Sequence, residues 1–402
     1  MLNWNLKIIM QSIPSQKALF FNRLAQTNPI PLALDVARAE GVYIYDNQGK
    51  KYLDLISGIS VSTLGHNHPK VKEAIHKQVD DHLHVMVYGE FVQSKQVEYA
   101  DYLAQKLPNG LECVYFTNSG AEATEGAMKL AKRLTTRSKV VSFINSYHGS
   151  SHGALSIAGG EWLKEAYRPL LPNCVQIEYG TEEGFYEIDE NTACVVVEPL
   201  QAEGGTVVPS ENFLHNLRQR CDDVGALLIF DEIQTGFGRL GEWFGAIKYA
   251  VTPDIMLLGK ALGGGMPLGA FVSSKEKMAA FQENPVLGHI TTFGGHPVCC
   301  AAGLAMAQQI EEQDLIRRVS EIEGRFKAGV KAKVNGQGLL MSVELGSFEK
   351  VEKMVKHCIL NGVITDWFLF NEVSIRVSPP MIISNEELDL AIKVINNALD
   401  EV

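Results

Sequence analysis

Two polar residues that follow neighbouring apolar runs could form the centre of an active site. Asp231 follows the apolar run 226–230, and Lys260 follows Gly259 at the end of a second run, 255–258. A lysine that is removed from water has a lowered pKa and becomes nucleophilic towards aldehydes. A carboxylate nearby could hold a protonated ring nitrogen. The pair therefore indicates an imine-forming amine beside an acid, the combination that pyridoxal phosphate chemistry requires.

Other turns of the chain offer the remaining contacts of such a cofactor. Backbone amides at a helix N-terminus bind phosphate groups, and aromatic and aliphatic side chains cover the faces of a ring. Each residue also has a structural alternative, such as a surface lysine, a helix-capping aspartate or an aromatic residue in ordinary packing. The candidates are Ser119, Gly120 and Ala121 for the phosphate, Tyr147 and Ile233 for the two ring faces, and Gln234 for the phenolic oxygen.

Alternating apolar strands and amphipathic helices must position these groups. Apolar runs that end in polar or glycine-rich turns recur at 112–116, 140–144 and 194–197, ahead of the two runs described above. Strands that are apolar throughout predict a mostly parallel α/β sheet with helices on both faces. Ligands of such sheets bind beyond the carboxyl ends of the strands. All the polar turns of the candidate site belong to that edge.

The two ends of the chain predict a smaller α+β domain. The pattern after residue 296 predicts helices over 298–312, 315–334 and 386–399 and strands over 338–345 and 373–377. A hairpin over 42–53 is expected to pack with this part. We therefore expect an N-terminal segment (1–60), a large cofactor-binding domain (61–295) and a C-terminal small domain (296–402).

Composition excludes several classes of function. The chain has 402 residues, a formal net charge of -11 and seven cysteines. An acidic chain lacks the positive surface that nucleic acids require, and no apolar stretch approaches the roughly 18 residues of a membrane span. The odd cysteine count without a C-x-x-C pair does not suit a disulfide framework, and close histidines such as His66 and His68 lack the further ligands of a metal site. We expect a cytoplasmic protein with small-molecule substrates.

Six motifs follow one another in order between residues 118 and 295. They are NSGAEA at 118–123, YHG at 147–149, VEPLQAEGG at 197–205, DEIQTG at 231–236, GKALGGG at 259–265 and TTFGG at 291–295. This set resembles the class III aminotransferases, most closely the acetylornithine and ornithine aminotransferases, from about Pro29 to near the C-terminus. The resemblance implies a fold-type I transferase with a seven-stranded sheet, pyridoxal 5'-phosphate as cofactor, and a homodimer with active sites at the interface.

The resemblance also implies roles for individual residues around the cofactor. By similarity, Lys260 forms the imine with the cofactor, Asp231 pairs with its ring nitrogen and Gln234 meets its phenolic oxygen. Thr292 would reach the phosphate of the neighbouring subunit. Further cofactor contacts are implied for Ser119, Gly120, Ala121, Tyr147, His148, Glu198 and Ile233.

The substrate contacts follow the family with two departures. Arg376 matches the arginine that takes the carboxylate of glutamate, and Glu203 matches the acid that covers this arginine when the other substrate is bound. A permanent ion pair without a gating role is the alternative. The related enzymes usually have an arginine for the substrate's α-carboxylate after the aromatic-x-Gly motif, whereas Ser150 follows Gly149 here. The family's Gly-Gly-Asn also becomes Gly294-Gly295-His296, and Gln201-Ala202 replaces Gln-Gly. His296 is either an added polar group in the pocket or a turn histidine. The departure at Ser150 leaves the amino donor open.

The motifs together predict a transamination. We expect an acetylornithine-like or other ω-amino donor to give its amino group to 2-oxoglutarate. An aminomutase or a decarboxylase of the same fold shares the motif set. A non-catalytic phosphate- or nucleotide-binding module is the alternative of another class, but the glycines at 259–265 do not have the spacing of the known phosphate loops.

Overall fold

Fourteen strands form three sheets in the computed structural model, which describes residues 15–86 and 89–401. The first fourteen residues of the predicted N-terminal segment lie outside this description. The strands are β1 (Val36–Glu40), β2 (Tyr43–Asp46), β3 (Lys51–Asp54), β4 (Cys113–Thr117), β5 (Lys139–Phe143), β6 (Cys174–Ile177), β7 (Thr192–Val197), β8 (Leu227–Asp231), β9 (Ile255–Leu258), β10 (Gly269–Ser273), β11 (Val334–Gln337), β12 (Leu340–Glu344), β13 (Val363–Ile364) and β14 (Ser374–Val377).

The largest sheet has seven strands in the order β4-β10-β9-β8-β7-β5-β6. β10 runs antiparallel to both of its neighbours, and the other pairs are parallel. All six residues of β7 are buried, because helices cover both faces of the sheet. The predicted α/β class with a mostly parallel seven-stranded sheet is thus confirmed.

Helices cover the sheets, and the helix Gly120–Thr135 begins at the edge formed by the carboxyl ends of the parallel strands. Gly120–Thr135 buries a stripe of small apolar side chains against the large sheet, and a Cβ atom at Gly126 would lie 2.3 Å from the Phe271 ring. Within the described ranges, no helix has both the length and the apolar character that a bilayer crossing requires. The α-helices are Gln16–Arg23, Ser57–Ser60, Pro69–Asp81, Ser94–Ala104, Gly120–Thr135, His152–Ser156, Phe213–Val224, Gly245–Lys248, Lys275–Met278, Pro297–Glu312, Leu315–Gly329, Phe348–Leu360 and Asn385–Glu401.

The two smaller sheets come from the ends of the chain. The first has the order β1-β2-β3-β13, and β13 joins it by parallel pairing of Val363 with Leu53. Segments more than 300 positions apart therefore share one sheet. The second is the antiparallel sheet β11-β12-β14. The domain boundaries at residues 60 and 295 stay a prediction.

The predicted helix over 315–334 is wrong only in its last five residues, 330–334. The helix ends at Gly329, Val330 is extended, and β11 turns back to pair with β12. Because Phe326, Val330 and Val334 are spaced by four, the apolar pattern continues beyond the end of the helix. The helix Phe348–Leu360 was not predicted, although it buries residues at helical spacing.

Candidate active site

The carboxyl ends of three central strands meet at a cavity of about 360 Å³. Glu198 directly follows β7, Asp231 ends β8, and Lys260 lies two residues after β9. The first turn of the helix Gly120–Thr135 lies at the same edge. The predicted site residues that line this cavity are Ser119, Gly120, Ala121, Tyr147, His148, Ser150, Glu198, Asp231, Ile233, Gln234 and Lys260.

Lys260 supplies the amine of this cavity. Burial lowers the pKa of the Lys260 amine to about 8, and the charges of Glu203 and Asp231 offset only part of this effect. The residue has a φ of +48°, a left-handed conformation that costs a non-glycine residue about 1–3 kcal/mol. The surrounding structure therefore imposes the direction of this side chain, and a substantial fraction of the amine is neutral near pH 8.

Asp231 lies in a chain of buried ionisable groups. Its Oδ2 is 2.6 Å from Nδ1 of His148, and its Oδ1 accepts the backbone N–H of Ile233 at 3.0 Å. Burial would lower the pKa of His148, but the hydrogen bond and charge of Asp231 raise it. Behind this pair, burial raises the pKa of Glu198 to about 7. Asp231 thus has an imidazole of raised pKa on one side, and the carboxyl group of Glu198 lies beyond it.

The helix start faces Asp231 and Lys260 across the cavity. Ser119 caps the helix, because its Oγ accepts the backbone N–H of Glu122 at 3.2 Å. The first amides of a helix lack acceptors within the helix and carry its positive dipole end. A Cβ atom at Gly120 would lie 2.6 Å from Cδ1 of Ile233, so a larger residue here would force the Ile233 side chain to shift.

This donor set fits pyridoxal phosphate. An amine of lowered pKa suits the aldehyde, a carboxylate at the end of β8 suits the ring nitrogen, and a helix start suits the phosphate. Among the described residues, Nε2 of His148 and Oε1 of Gln234 are buried without a hydrogen-bond partner. Tyr147 closes one side, with its hydroxyl 2.9 Å from Oγ of Ser150.

Glu203 and Arg376 form a buried, two-pronged ion pair next to this cavity. NH1 and NH2 of Arg376 donate to the two Glu203 oxygens at 2.8 and 3.0 Å. The two residues are 6% and 4% exposed. Although burial opposes it, the Arg376 guanidinium lowers the pKa of Glu203 to about 2. The Gln234 amide also donates to Glu203, at 2.9 Å.

A second, larger cavity of about 1070 Å³ adjoins the first and contains Glu203, Arg376 and Lys260 in its lining. Ser150 lines both cavities. Sequence reasoning missed most of this wall, because its residues come from separate loops and follow no spacing rule. The missed lining residues include Trp162, Tyr167, Asp366, Trp367 and Phe368.

Asp366 is the most informative of the missed residues. Its Oδ1 accepts the Nε hydrogen of Arg376 at 3.0 Å, so two carboxylates surround one guanidinium. The backbone oxygen of Trp367 accepts from NH2 at 3.3 Å, and the Phe368 ring lies 4.6 Å from the guanidinium carbon. Arg376 is thereby fixed from several sides. The only hint in the sequence is an acid ten positions before the candidate arginine.

Two residues discussed from the sequence lie outside both cavities. Thr292 is exposed and lines neither cavity of its own chain. His296 caps the helix Pro297–Glu312, since its Nδ1 accepts the backbone N–H of Val298 at 3.3 Å. Its ring stacks on His84, with the ring centres 5.8 Å apart. This histidine therefore has a structural contact rather than a place in the pocket.

Comparison with protein families finds one family over nearly the whole chain. The family described as "Aminotransferase class-III" matches residues 24–399. The acetylornithine aminotransferase of Methanosarcina mazei is 38% identical over 383 residues, which cover 92% of each chain. That of Aquifex aeolicus is 36% identical and covers 92% of this chain and 97% of its own.

Solved structures show the same similarity. The ornithine aminotransferase of Toxoplasma gondii, with pyridoxal phosphate at its active site, has a TM-score of 0.88 and 27% identity over all of this chain and 98% of that one. A transaminase from the marine bacterium Virgibacillus has a TM-score of 0.88 and 25% identity and covers 95% of this chain and 97% of that one.

Proposed function

The chain belongs to the class III aminotransferases, and from that premise we propose that it moves the amino group of an acetylornithine-like or other ω-amino donor to 2-oxoglutarate. The reaction is a transamination that depends on pyridoxal phosphate. The names of the curated relatives support the type of donor. The observation that carries the proposal is one cavity that combines the low-pKa amine of Lys260, the Asp231 carboxylate and a helix start.

Five kinds of contact would hold the cofactor. Lys260 would bind it covalently at the aldehyde carbon, and Asp231, supported by His148, would pair with the ring nitrogen. Ile233 and Tyr147 would cover the ring faces, as their place in the cavity lining supports. The remaining contacts are Ser119, Gly120 and Ala121 for the phosphate and Gln234 for the phenolic oxygen, with Glu198 behind the His148 side chain.

Proton transfer would be the work of Lys260. The bound cofactor supplies an electron sink that allows the Cα–H bond of the substrate amine to break. The Lys260 amine, with a pKa near 8, is a base at neutral to mildly alkaline pH. Because it stays beside the substrate, it can take the proton from Cα and return it at C4′ of the cofactor.

Glu203 and Arg376 would let one pocket accept two different substrates. With Glu203 on Arg376, this arginine is not available to a substrate carboxylate, which suits the half-reaction of the amino donor. When glutamate or 2-oxoglutarate binds, its carboxylate would replace that of Glu203. An arginine binds a carboxylate well but is costly to leave unpaired in a dry site, so the two acids must exchange.

We infer that the protein acts as a homodimer in which Thr292 reaches the phosphate of the neighbouring active site. Large apolar side chains are exposed close to Thr292, including Ile290 at 50% and Phe293 at 55%, and Phe293 contacts the ring of His84. Exposed apolar patches of this kind mark protein interfaces. Sedimentation at several protein concentrations measures the association of the two subunits.

All seven cysteines are free, which supports a reducing compartment such as the cytoplasm.

The function is tested by following the visible absorbance of the bound cofactor in the purified holoenzyme. Glutamate should bleach this band, and 2-oxoglutarate should restore it. With ¹⁵N-labelled donor, the label should appear in glutamate. An aminomutase would keep the label in the isomerised donor, and a decarboxylase would release carbon dioxide instead. Failure of glutamate and of every amine, with the cofactor bound, would contradict the proposal. The Lys260→Ala variant is the control for the band itself.

A further inference from the structure

The larger cavity contains one carboxylate more than the Glu203–Arg376 pair requires. Its lining includes Glu203, Asp366, Arg376 and Lys260. Once Lys260 is engaged with the cofactor, two acids face a single guanidinium. The region that receives the amino donor therefore has an excess of negative charge.

Asp366 is the acid that is not fully compensated. Glu203 accepts two N–H groups of Arg376 as well as those of Gln234 and the Leu369 backbone, whereas Asp366 accepts only the Nε hydrogen of Arg376. Its other oxygen makes no hydrogen bond within the described ranges. Burial raises the pKa of Asp366, Arg376 offsets only part of this effect, and the charge of Glu203 raises the pKa further. The side chain remains 26% exposed.

Among the described residues, the lining of this cavity offers a carboxylate no free lysine or arginine while Glu203 covers Arg376. Lys260 and Arg376 are the lysine and arginine side chains in its lining, and both are engaged in the donor-binding state. Ser150, which occupies the expected position of an arginine, carries no charge. A carboxylate on the donor would reach Arg376 only by displacing Glu203, as glutamate does.

We propose that the amino donor is an aliphatic diamine, whose far ammonium group binds Asp366 while Glu203 stays on Arg376. This inference rests on the proposed transamination, and it selects, among ω-amino donors, those with a cation and without a carboxylate. The walls suit such a chain, because Trp162, Tyr167 and Trp367 can contact methylene groups and attract an ammonium ion.

Binding without turnover tests this inference. Borohydride reduction fixes the cofactor on Lys260, so amines bind but cannot react. Calorimetry with diaminopentane, pentylamine and aminopentanoate, which share a five-carbon chain, compares an ammonium, a methyl and a carboxylate end. One charge-assisted hydrogen bond contributes roughly 1.5–3 kcal/mol, so the diamine should bind about 10- to 100-fold more tightly than pentylamine. Aminopentanoate should bind more weakly than pentylamine.

Two variants test whether Asp366 causes the preference for the diamine. Asp366→Asn should reduce the preference for the diamine to within about threefold, since the amide carries no charge. Glu372→Gln removes a carboxylate from the exposed part of the same segment and should keep the preference. The wild-type comparison stands even if Asp366→Asn does not fold.

Equal binding of diamine and monoamine, or tightest binding of aminopentanoate, would overturn the inference. An unchanged preference in Asp366→Asn would also overturn it. The proposed function is judged separately, by the response of the unreduced holoenzyme to glutamate. A normal glutamate response with no diamine preference would leave transamination intact and reject the diamine alone.

Discussion

Replacing Glu203 with alanine should separate the two halves of the reaction. Glu203 occupies both NH groups of Arg376, so glutamate must displace it before its own carboxylate can bind. Without Glu203, glutamate meets an arginine that is ready to bind. The amino donor instead meets an incompletely paired cation in a buried site, which opposes an ammonium group.

The magnitude follows from the carboxyl group itself. The pKa of Glu203 is lowered from 4.5 to about 2, and at 1.36 kcal/mol for each pKa unit this corresponds to about 3 kcal/mol. That free energy sets an upper limit of roughly 300-fold. The variant should lose only part of this free energy, because Asp366 and the Trp367 carbonyl also hold Arg376. We therefore expect the ratio of kcat/KM for glutamate to that for the donor to rise by about 10- to 100-fold.

Single-turnover mixing of the holoenzyme with glutamate and, separately, with the donor measures the two half-reactions. Glu203→Gln is the matched control, because it keeps the shape and hydrogen-bonding oxygen but removes the charge, and should give a smaller change in the same direction. If Glu203→Ala slows both half-reactions by the same factor, Glu203 and Arg376 form a permanent ion pair and the exchange mechanism is wrong.

Two further perturbations concern the cofactor. Burial lowers the pKa of Lys260 to about 8, so the neutral fraction of its amine grows as the pH rises. The rate of cofactor loading onto the apoenzyme should therefore increase up to about pH 8 and then level off. A rise that continues to the ordinary lysine range, near pH 10.4, would contradict this prediction. Gly120→Ala should weaken cofactor retention in equilibrium dialysis, because the new methyl group would lie 2.6 Å from Ile233 Cδ1. Gly324→Ala is the matched control, because Gly324 lies on a helix with open space around it. This variant should keep the cofactor, and it should stabilise the fold by up to about 1 kcal/mol. Equal cofactor loss in both variants would contradict the role of Gly120.

The central sheet was predictable because its strands leave a signal in the local sequence. A strand covered on both faces is apolar throughout, as β7 and β9 are, and its polar neighbours then mark the edge where ligands bind. For this reason Asp231 and Lys260 could be paired from the sequence, and the structure brings them to one cavity. β11 gave no such signal, since apolar residues spaced by four continued from the preceding helix.

The second acid at Arg376 depends on contacts that no local pattern records. Asp366 reaches Arg376 because the two residues flank a turn whose ends pair, with the Arg376 amide donating to the Asp366 carbonyl. The backbone N–H groups of Leu369 and Phe370 then bind Glu203, at its carboxylate and carbonyl. Loop conformation and long-range pairing together create this cluster, so only the folded chain reveals it.

The two carboxylates also explain how a buried cation can change partners at an acceptable cost. A bare guanidinium in a dry pocket costs several kcal/mol, and this cost would oppose any movement of Glu203 before glutamate arrives. Asp366, the Trp367 carbonyl and the Phe368 ring contact Arg376 independently of Glu203, so the arginine keeps both orientation and partial compensation during the exchange. If Asp366 also binds the ammonium end of the donor, one residue supports both half-reactions. It holds Arg376 in place while glutamate is bound, and it contacts the donor while Glu203 covers Arg376. Asp366→Asn should then raise KM for glutamate as well as for a diamine, whereas a monoamine donor, which touches neither charge, should lose little.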